Sequence, residues 1–228
     1  MENTKLAKFL VEPKKKHLST ILLLHGFGDK GGSYIETAKI LQKSLPNTRF
    51  VMPTAPVIPV DFIGGKKTNS WYNLAKPKPK EDKDPKQLEE ISEMVRDLID
   101  EEHQILIEKE TDPIIFLLGF SQGAGMCLFT TMFKSEKKIA GVIMLSGFLV
   151  NSKLNSKERK QINKSTPVLM YHGSADDTIL QEWSQISYIE MMQMGMNVQY
   201  SVFRGLDHQI SSKELKQTSE WILNLLKN

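Results

Sequence analysis

Cysteine is almost absent: Cys127 is the only one in 228 residues. That excludes an internal disulfide and any metal site built on cysteine pairs. No apolar run approaches the roughly 20 residues needed to span a bilayer. The first residues, Met1-Glu2-Asn3-Thr4-Lys5, lack the apolar core of a secretory signal. Charge of one sign is not in excess either. The formal net charge is +3, with the lysines spread along the chain, so no field is set up to attract nucleic acid. Internal repeats are also missing. What remains is an ordinary globular composition, 40% hydrophobic and 25% charged. The length suits one sizeable α/β domain better than two. We therefore expect residues 1–228 to form a single domain of a cytoplasmic protein with no nucleic-acid partner.

Apolar runs do occur, but they are short: Thr20–Leu24, Arg49–Met52, Ile114–Leu118, Ile139–Leu145, Val168–Tyr171 and Val198–Phe203. Segments of helical periodicity separate most of them. Leu88, Ile91, Val95, Leu98, Glu102 and Leu106 mark a long helix by their three- and four-residue spacing. Ile186, Ile189 and Met192 mark another, with Gly195 as its stop. The last helix opens with Ser211 and Glu214 at capping-box spacing, then presents Leu215, Trp221, Ile222 and Leu225. Strands alternating with helices predict a mostly parallel sheet covered on both faces. Active sites of such sheets lie at the carboxyl ends of the strands. The stretch Lys76–Pro85 reads as a charged, solvated loop.

One short segment carries chemistry. Gly119-Phe120-Ser121-Gln122-Gly123 follows the run Ile114–Leu118 and precedes a proline-free, helix-compatible stretch, 124–133. Strand, G-x-S-x-G and helix are the parts of a nucleophile elbow, which holds a serine hydroxyl at the carboxyl end of the sheet. The backbone N–H of Gln122 then faces the substrate.

A serine hydroxyl needs a base, and histidine is the usual one. In an α/β-hydrolase fold the partners follow in the order serine, acid, histidine. His17, His25 and His103 precede Ser121, and His172 comes too early for an acid to stand before it. His208 remains. The acid is expected on the loop His172-Gly173-Ser174-Ala175-Asp176-Asp177, where either aspartate fits by spacing. Asp207 is a weaker rival, because adjacent side chains on an extended segment point apart. A second oxyanion donor is expected from the glycine-bearing loop His25-Gly26-Phe27-Gly28-Asp29. His25 then reads as a structural hydrogen-bonding residue and Cys127 as a small buried hydrophobe.

With these residues assembled, the chain resembles the carboxylesterase/phospholipase family that contains the acyl-protein thioesterases and small cytosolic lysophospholipases. The matching segments run in order from His25–Asp29 through Pro53–Val60, Gly64-Gly65, Ser70-Trp71-Tyr72, Gly119–Ala124, Leu145-Ser146-Gly147 and His172-Gly173 with Asp176, to Gly205–His208. The resemblance implies an α/β-hydrolase fold with Ser121 as nucleophile, Asp176 as acid and His208 as base. It implies the N–H groups of Phe27 and Gln122 as the oxyanion hole. The chain departs from the family in Asn73, where aspartate is common. Phe27 stands where leucine is usual, which would narrow the acyl site. A palmitoylated N-terminal cysteine, carried by some animal members, is absent.

The expected activity is hydrolysis of acyl thioesters or carboxylic esters by two-step acyl transfer, with no metal and no organic cofactor. Phe62, Ile63, Trp71, Phe148, Leu149 and Ile179 are the expected walls of an acyl channel. The methionines Met191, Met192, Met194 and Met196 read as core filler. The expected substrate is an acylated protein or a lipid ester, with at most transient membrane-surface contact and the question of a homodimer left open. A short-chain carboxylesterase and a non-catalytic acyl-lipid-binding protein are the rival readings.

Overall fold

The computed structural model describes residues 5–75, 85–150 and 159–227. A seven-stranded sheet is built from β1 (Lys8–Val11), β2 (Ser19–Leu24), β3 (Thr48–Pro53), β6 (Ile114–Phe120), β7 (Gly141–Leu145), β8 (Val168–Gly173) and β9 (Val198–Phe203). Its spatial order is β1-β3-β2-β6-β7-β8-β9, with β1 antiparallel to β3 and every other pairing parallel. A separate hairpin pairs β4 (Val57–Val60) with β5 (Lys66–Asn69). The helices are α1 (Ile35–Ser44), α2 (Pro85–Glu108), α3 (Gln122–Phe129), α4 (Gln181–Gln193) and α5 (Ser212–Leu225).

The apolar runs are continuous because both sheet faces are covered. Ile21, Leu23, Phe50, Phe116, Leu118, Ile143 and Leu145 point to one face and pack with Leu41 of α1 and Leu215 and Ile222 of α5. Their alternate neighbours Leu22, Leu24, Val51, Ile115, Leu117, Val142 and Met144 point to the other. There they meet Leu88, Val95 and Ile99 of α2, Cys127 of α3 and Met191 of α4. Cys127 is fully buried, and burial pushes its thiol up, as suits a small hydrophobe. The charged stretch Lys76–Pro85 falls largely on residues 76–84, outside the described residues.

Caps behave as the spacing predicts at α5. Ser211 Oγ accepts the Glu214 N–H at 3.2 Å, and the Ser211 N–H donates to Glu214 Oε2 at 2.7 Å. Gly195, at φ +73°, follows α4 as its C′ residue.

The face assigned to α4 needs correction. Ile186, Ile189 and Met192 are 39%, 46% and 47% exposed, whereas Ser184, Ser187 and Met191 form the buried face. Small hydroxyl residues face inward because neighbouring segments, around Leu149 and along β9, offer polar groups there. Ser187 Oγ accepts the Leu149 N–H at 2.9 Å, and the Ser184 hydroxyl meets that of Tyr200 at 2.8 Å. Of the four methionines, Met191 and Met196 are buried, Met194 is half-buried and packs on the core, and Met192 is exposed.

A buried polar cluster sits where β2 begins. His17 Nε2 lies 2.9 Å from Thr20 Oγ1, which donates to Glu102 Oε2 at 3.2 Å. Arg49 pairs with that carboxylate at 3.6 Å, and Lys109 Nζ approaches His17 Nδ1 at 3.4 Å. These bonds describe a neutral imidazole that donates from Nε2 and accepts at Nδ1. Burial, then the nearby charges of Lys109 and Arg49, lower its pKa from 6.5 to about 4. Between those values the unfolded chain binds a proton that the folded chain refuses. Stability is therefore fully present above pH 6.5 and declines as pH falls towards 4. The loss is on the order of 3 kcal/mol at most. Glu102, raised by burial, works the opposite way at the acid end of this window. Urea unfolding between pH 7 and 4.5 is expected to show the decline, and to show a shallower one in His17→Gln. Parallel curves for the two proteins would remove His17 from this account.

Candidate active site

Ser121 stands between β6 and α3 at φ +52° and ψ −118°, a backbone region that a non-glycine residue enters only under constraint. The constraint is closeness. A Cβ at Gly119 would lie 2.4 Å from the Gly123 carbonyl, and one at Gly123 would lie 2.3 Å from the carbonyl oxygen of Leu24. Glycine is required at both ends of the elbow for space, while the serine itself carries the positive φ. The Ser121 N–H is anchored to the Leu145 carbonyl at 2.8 Å, at the carboxyl end of β7.

Two further loops at the same end of the sheet complete a chain of hydrogen bonds. His208 Nε2 lies 3.0 Å from Ser121 Oγ, and His208 Nδ1 lies 2.7 Å from Asp176 Oδ2. The carboxylate accepts a hydrogen bond from the Nδ1–H and so fixes that tautomer, which leaves Nε2 free to accept the serine proton. Asp176 Oδ1 accepts the N–H groups of Thr178 at 3.1 Å and Ile179 at 2.8 Å. Burial alone would raise this carboxyl. The His208 hydrogen bond, the Ile179 N–H and the two nearby imidazoles outweigh it and hold Asp176 below its usual value. Asp177 and Asp207 are exposed, and neither bonds His208. The Phe120 ring packs against the His208 ring with centroids 4.8 Å apart. Sequence reasoning missed that support, although Phe120 occupies the variable position of the glycine-serine motif.

Gly26 brings the His25–Asp29 loop against the elbow, since a Cβ there would lie 3.6 Å from Ser121 Cβ. The main-chain N–H groups of Phe27 and Gln122 find no acceptor among the described residues. Gln122 opens α3, so its N–H also carries the partial positive charge of a helix start. His25 is no base. Its Nδ1 donates to the Gly26 carbonyl at 2.7 Å, its Nε2 accepts the Ala55 N–H at 2.9 Å, and burial pushes its pKa down.

A cavity of about 320 Å³ opens beside Ser121. Phe27, Phe62, Tyr72, Leu74, Phe148 and Ile179 form its apolar wall, with Asp177 and Thr178 also lining it. Of the six expected channel residues, Phe62, Phe148 and Ile179 line this cavity. Ile63, Trp71 and Leu149 do not line it. Trp71 is fully buried, its indole N–H donating to the His25 carbonyl at 2.8 Å. The adjacent Tyr72 takes the wall position instead, because neighbouring side chains diverge. Leu149 turns into the core, where its N–H meets Ser187. Ile63 packs against the same core cluster. A second cavity, of about 330 Å³, lies between Lys5-Leu6 and α2 and contains no serine or histidine. Among the described residues no group of three or more His, Cys, Asp or Glu side chains is spaced to hold a metal ion. No helix there is long and apolar enough to cross a membrane.

The phospholipase/carboxylesterase family model matches residues 6–226. The chain belongs to that family. It is 32% identical over 212 residues to acyl-protein thioesterase 1 homolog 1 of Dictyostelium discoideum, covering 92% of each chain. Lysophospholipase-like protein 1 of Mus musculus is 28% identical over 97% of this chain and 92% of its own. The crystal structure of Arabidopsis thaliana SOBER1 superposes with a TM-score of 0.83 at 30% identity, covering 91% of this chain and 99% of that one. Family membership makes the fold an α/β-hydrolase fold and the chain a serine hydrolase.

Proposed function

We propose that this member of the family hydrolyses acyl thioesters and related carboxylic esters, with a protein-bound acyl group as the leading substrate and a lysophospholipid as the nearest relative of it. The observation that carries the reading is the unbroken relay from Asp176 through His208 to Ser121 at the mouth of an apolar cavity. In the first step Ser121 Oγ attacks the acyl carbonyl while His208 Nε2 takes its proton. The Phe27 and Gln122 N–H groups receive the oxyanion. As the tetrahedral adduct collapses, the bond from the acyl carbon to sulfur or oxygen breaks and His208 returns its proton to the departing thiol or alcohol. Water then repeats the sequence on the acyl-serine, with His208 again as base, and releases the carboxylic acid. A thiolate leaves with little need of protonation, so a thioester is the easier substrate. The name of the Dictyostelium discoideum relative supports the acyl-protein reading, and that of the Mus musculus relative supports the lysophospholipid one. The proposal carries with it a single domain over residues 1–228, a cytoplasmic place of action, and transient contact with the membrane surface where acylated proteins lie.

Covalent labelling by a fluorophosphonate separates this enzyme from a non-catalytic acyl-binding protein. Ser121 is expected to be labelled, and an unlabelled Ser121 in folded protein would remove the catalytic reading.

The cavity volume stands at the low end of the roughly 300–1,000 Å³ of ligand pockets. Each methylene drawn from water adds up to ~0.8 kcal/mol, roughly fourfold in kcat/KM. Efficiency is therefore expected to climb from acetyl to medium acyl thioesters and then level off. Phe62→Ala removes a half-exposed wall ring and is expected to cut the medium-chain substrate about three- to tenfold while sparing acetyl. Equal losses on both would take Phe62 out of the acyl site.

A further inference from the structure

The two oxyanion donors come from distant parts of the sequence, and one short segment ties them together. On one side of Phe27, the His25 carbonyl accepts the Trp71 indole N–H at 2.8 Å. On the other side, the Gly28 N–H donates to the Asn69 carbonyl at 2.9 Å, and Asn69 Nδ2 donates to the Asp29 carbonyl at 2.9 Å. The loop that presents Phe27 is thus hung at both ends from segment 69–71. That segment is in turn gripped by the Gln122 side chain. Its Oε1 accepts the Trp71 main-chain N–H at 3.0 Å. Its Nε2 donates to Ser70 Oγ at 2.8 Å and to the Tyr72 carbonyl at 2.9 Å, while the Ser70 hydroxyl donates to the same Tyr72 carbonyl at 2.8 Å.

Gln122 therefore offers one donor from its backbone and fixes the other through its side chain. The part of the link that runs through Gln122, Ser70, Trp71 and His25 is buried, Gln122 at 4% exposure and the other three at 0%, while Asn69 is half-buried. A carboxamide is well suited to this place, because it supplies both an acceptor and donors to a main-chain segment without a charge that burial would penalise.

We infer that the Gln122 carboxamide and the Trp71 indole N–H are positioning groups for the oxyanion hole, holding the Phe27 N–H at a set distance from the Gln122 N–H. The inference rests on the reading of Ser121 as nucleophile given above. Oxyanion donors act on an oxygen that becomes charged only in the transition state, so their alignment governs kcat more than substrate affinity. Removing a single donor outright costs about 10²–10³ in kcat in other serine hydrolases. Loosening one is expected to cost less, about 10- to 100-fold.

Trp71→Phe keeps most of the ring and deletes the indole N–H. Gln122→Met keeps the side-chain length and deletes both bonding atoms. Ser70→Ala is the smallest change and the safest for folding. Rates are to be expressed per site titrated with fluorophosphonate, so that misfolded protein does not count. Trp71→Phe and Gln122→Met are expected to lose about 10- to 100-fold in kcat with KM within about twofold, and Ser70→Ala about three- to tenfold. The losses are expected to be the same for acetyl and octanoyl thioesters. Affinity for a trifluoromethyl ketone, which forms a tetrahedral oxyanion adduct on the serine, is expected to fall in parallel with kcat. A merely structural role would lower the titrated fraction and the melting temperature while leaving kcat per site and ketone affinity unchanged, and that result overturns the inference. A loss confined to octanoyl would restore Trp71 to the acyl wall and overturn it equally. Failure of the unaltered protein to label at Ser121 would instead sink the functional reading itself, and this inference with it.

Discussion

Ser121→Ala is expected to lower kcat by about four to six orders of magnitude while leaving the fold in place. The change removes one oxygen atom whose hydrogen-bond partner among the described residues is His208 Nε2, at 3.0 Å. Without it no acyl-serine forms, and the residual rate is what the oxyanion donors can do for direct attack by water. The thermodynamic cost of losing that single hydrogen bond is about 0.5–1.5 kcal/mol. Nothing else at the elbow depends on the hydroxyl, since the turn is held by the Ser121 N–H to Leu145 and by the close approach of Gly119 and Gly123. Purified Ser121→Ala with circular dichroism like the parent and a hydrolysis rate within tenfold of it would dismiss the serine as nucleophile.

His208→Ala is expected to be about as damaging, and the Ser121→Ala/His208→Ala double variant scarcely worse than either, because the pair acts as one unit. Additive losses in the double variant would show instead that the two contribute separately. Asp176→Asn is expected to cost less, about 10⁴ or under, since the imidazole keeps some basicity after losing its carboxylate partner. Asp177→Asn, at an exposed residue that does not touch His208, is expected to stay within about tenfold of the parent. A reversal of that order would move the acid by one residue.

Much of the architecture was legible because its causes are local. β2, β7 and β8 are wholly buried and β6 is buried from Ile115 to Gly119, and a strand buried on two faces is apolar wherever no hydrogen-bond partner reaches it. The capping box of α5 and the C′ glycine after α4 are short-range bonds between near neighbours, equally readable. The inner face of α4 was not. There Ser184 and Ser187 are buried and Ile186 and Ile189 are exposed, because the partners are a hydroxyl on β9 and a backbone N–H from the Leu149 segment, which no helical period records.

The candidate site divides along the same line. Residue type and order alone singled out Ser121, through the glycines on either side of it, and His208, as the histidine in the required place. The sequence also placed the expected oxyanion donors on Gln122 and the His25–Asp29 loop. Between Asp176 and Asp177 spacing was silent, and only resemblance chose. Tertiary structure decides it by reach: one carboxylate approaches the imidazole at 2.7 Å, and its neighbour points elsewhere. Trp71 is the sharpest case. Its segment belongs beside the serine, as its sequence suggests, yet the side chain turns away from the cavity to bond the His25 carbonyl, and Tyr72 lines the wall in its place. A sequence records which residues stand on a segment. Which of two neighbours faces the cavity depends on partners brought up from other strands, and those exist only once the chain has folded.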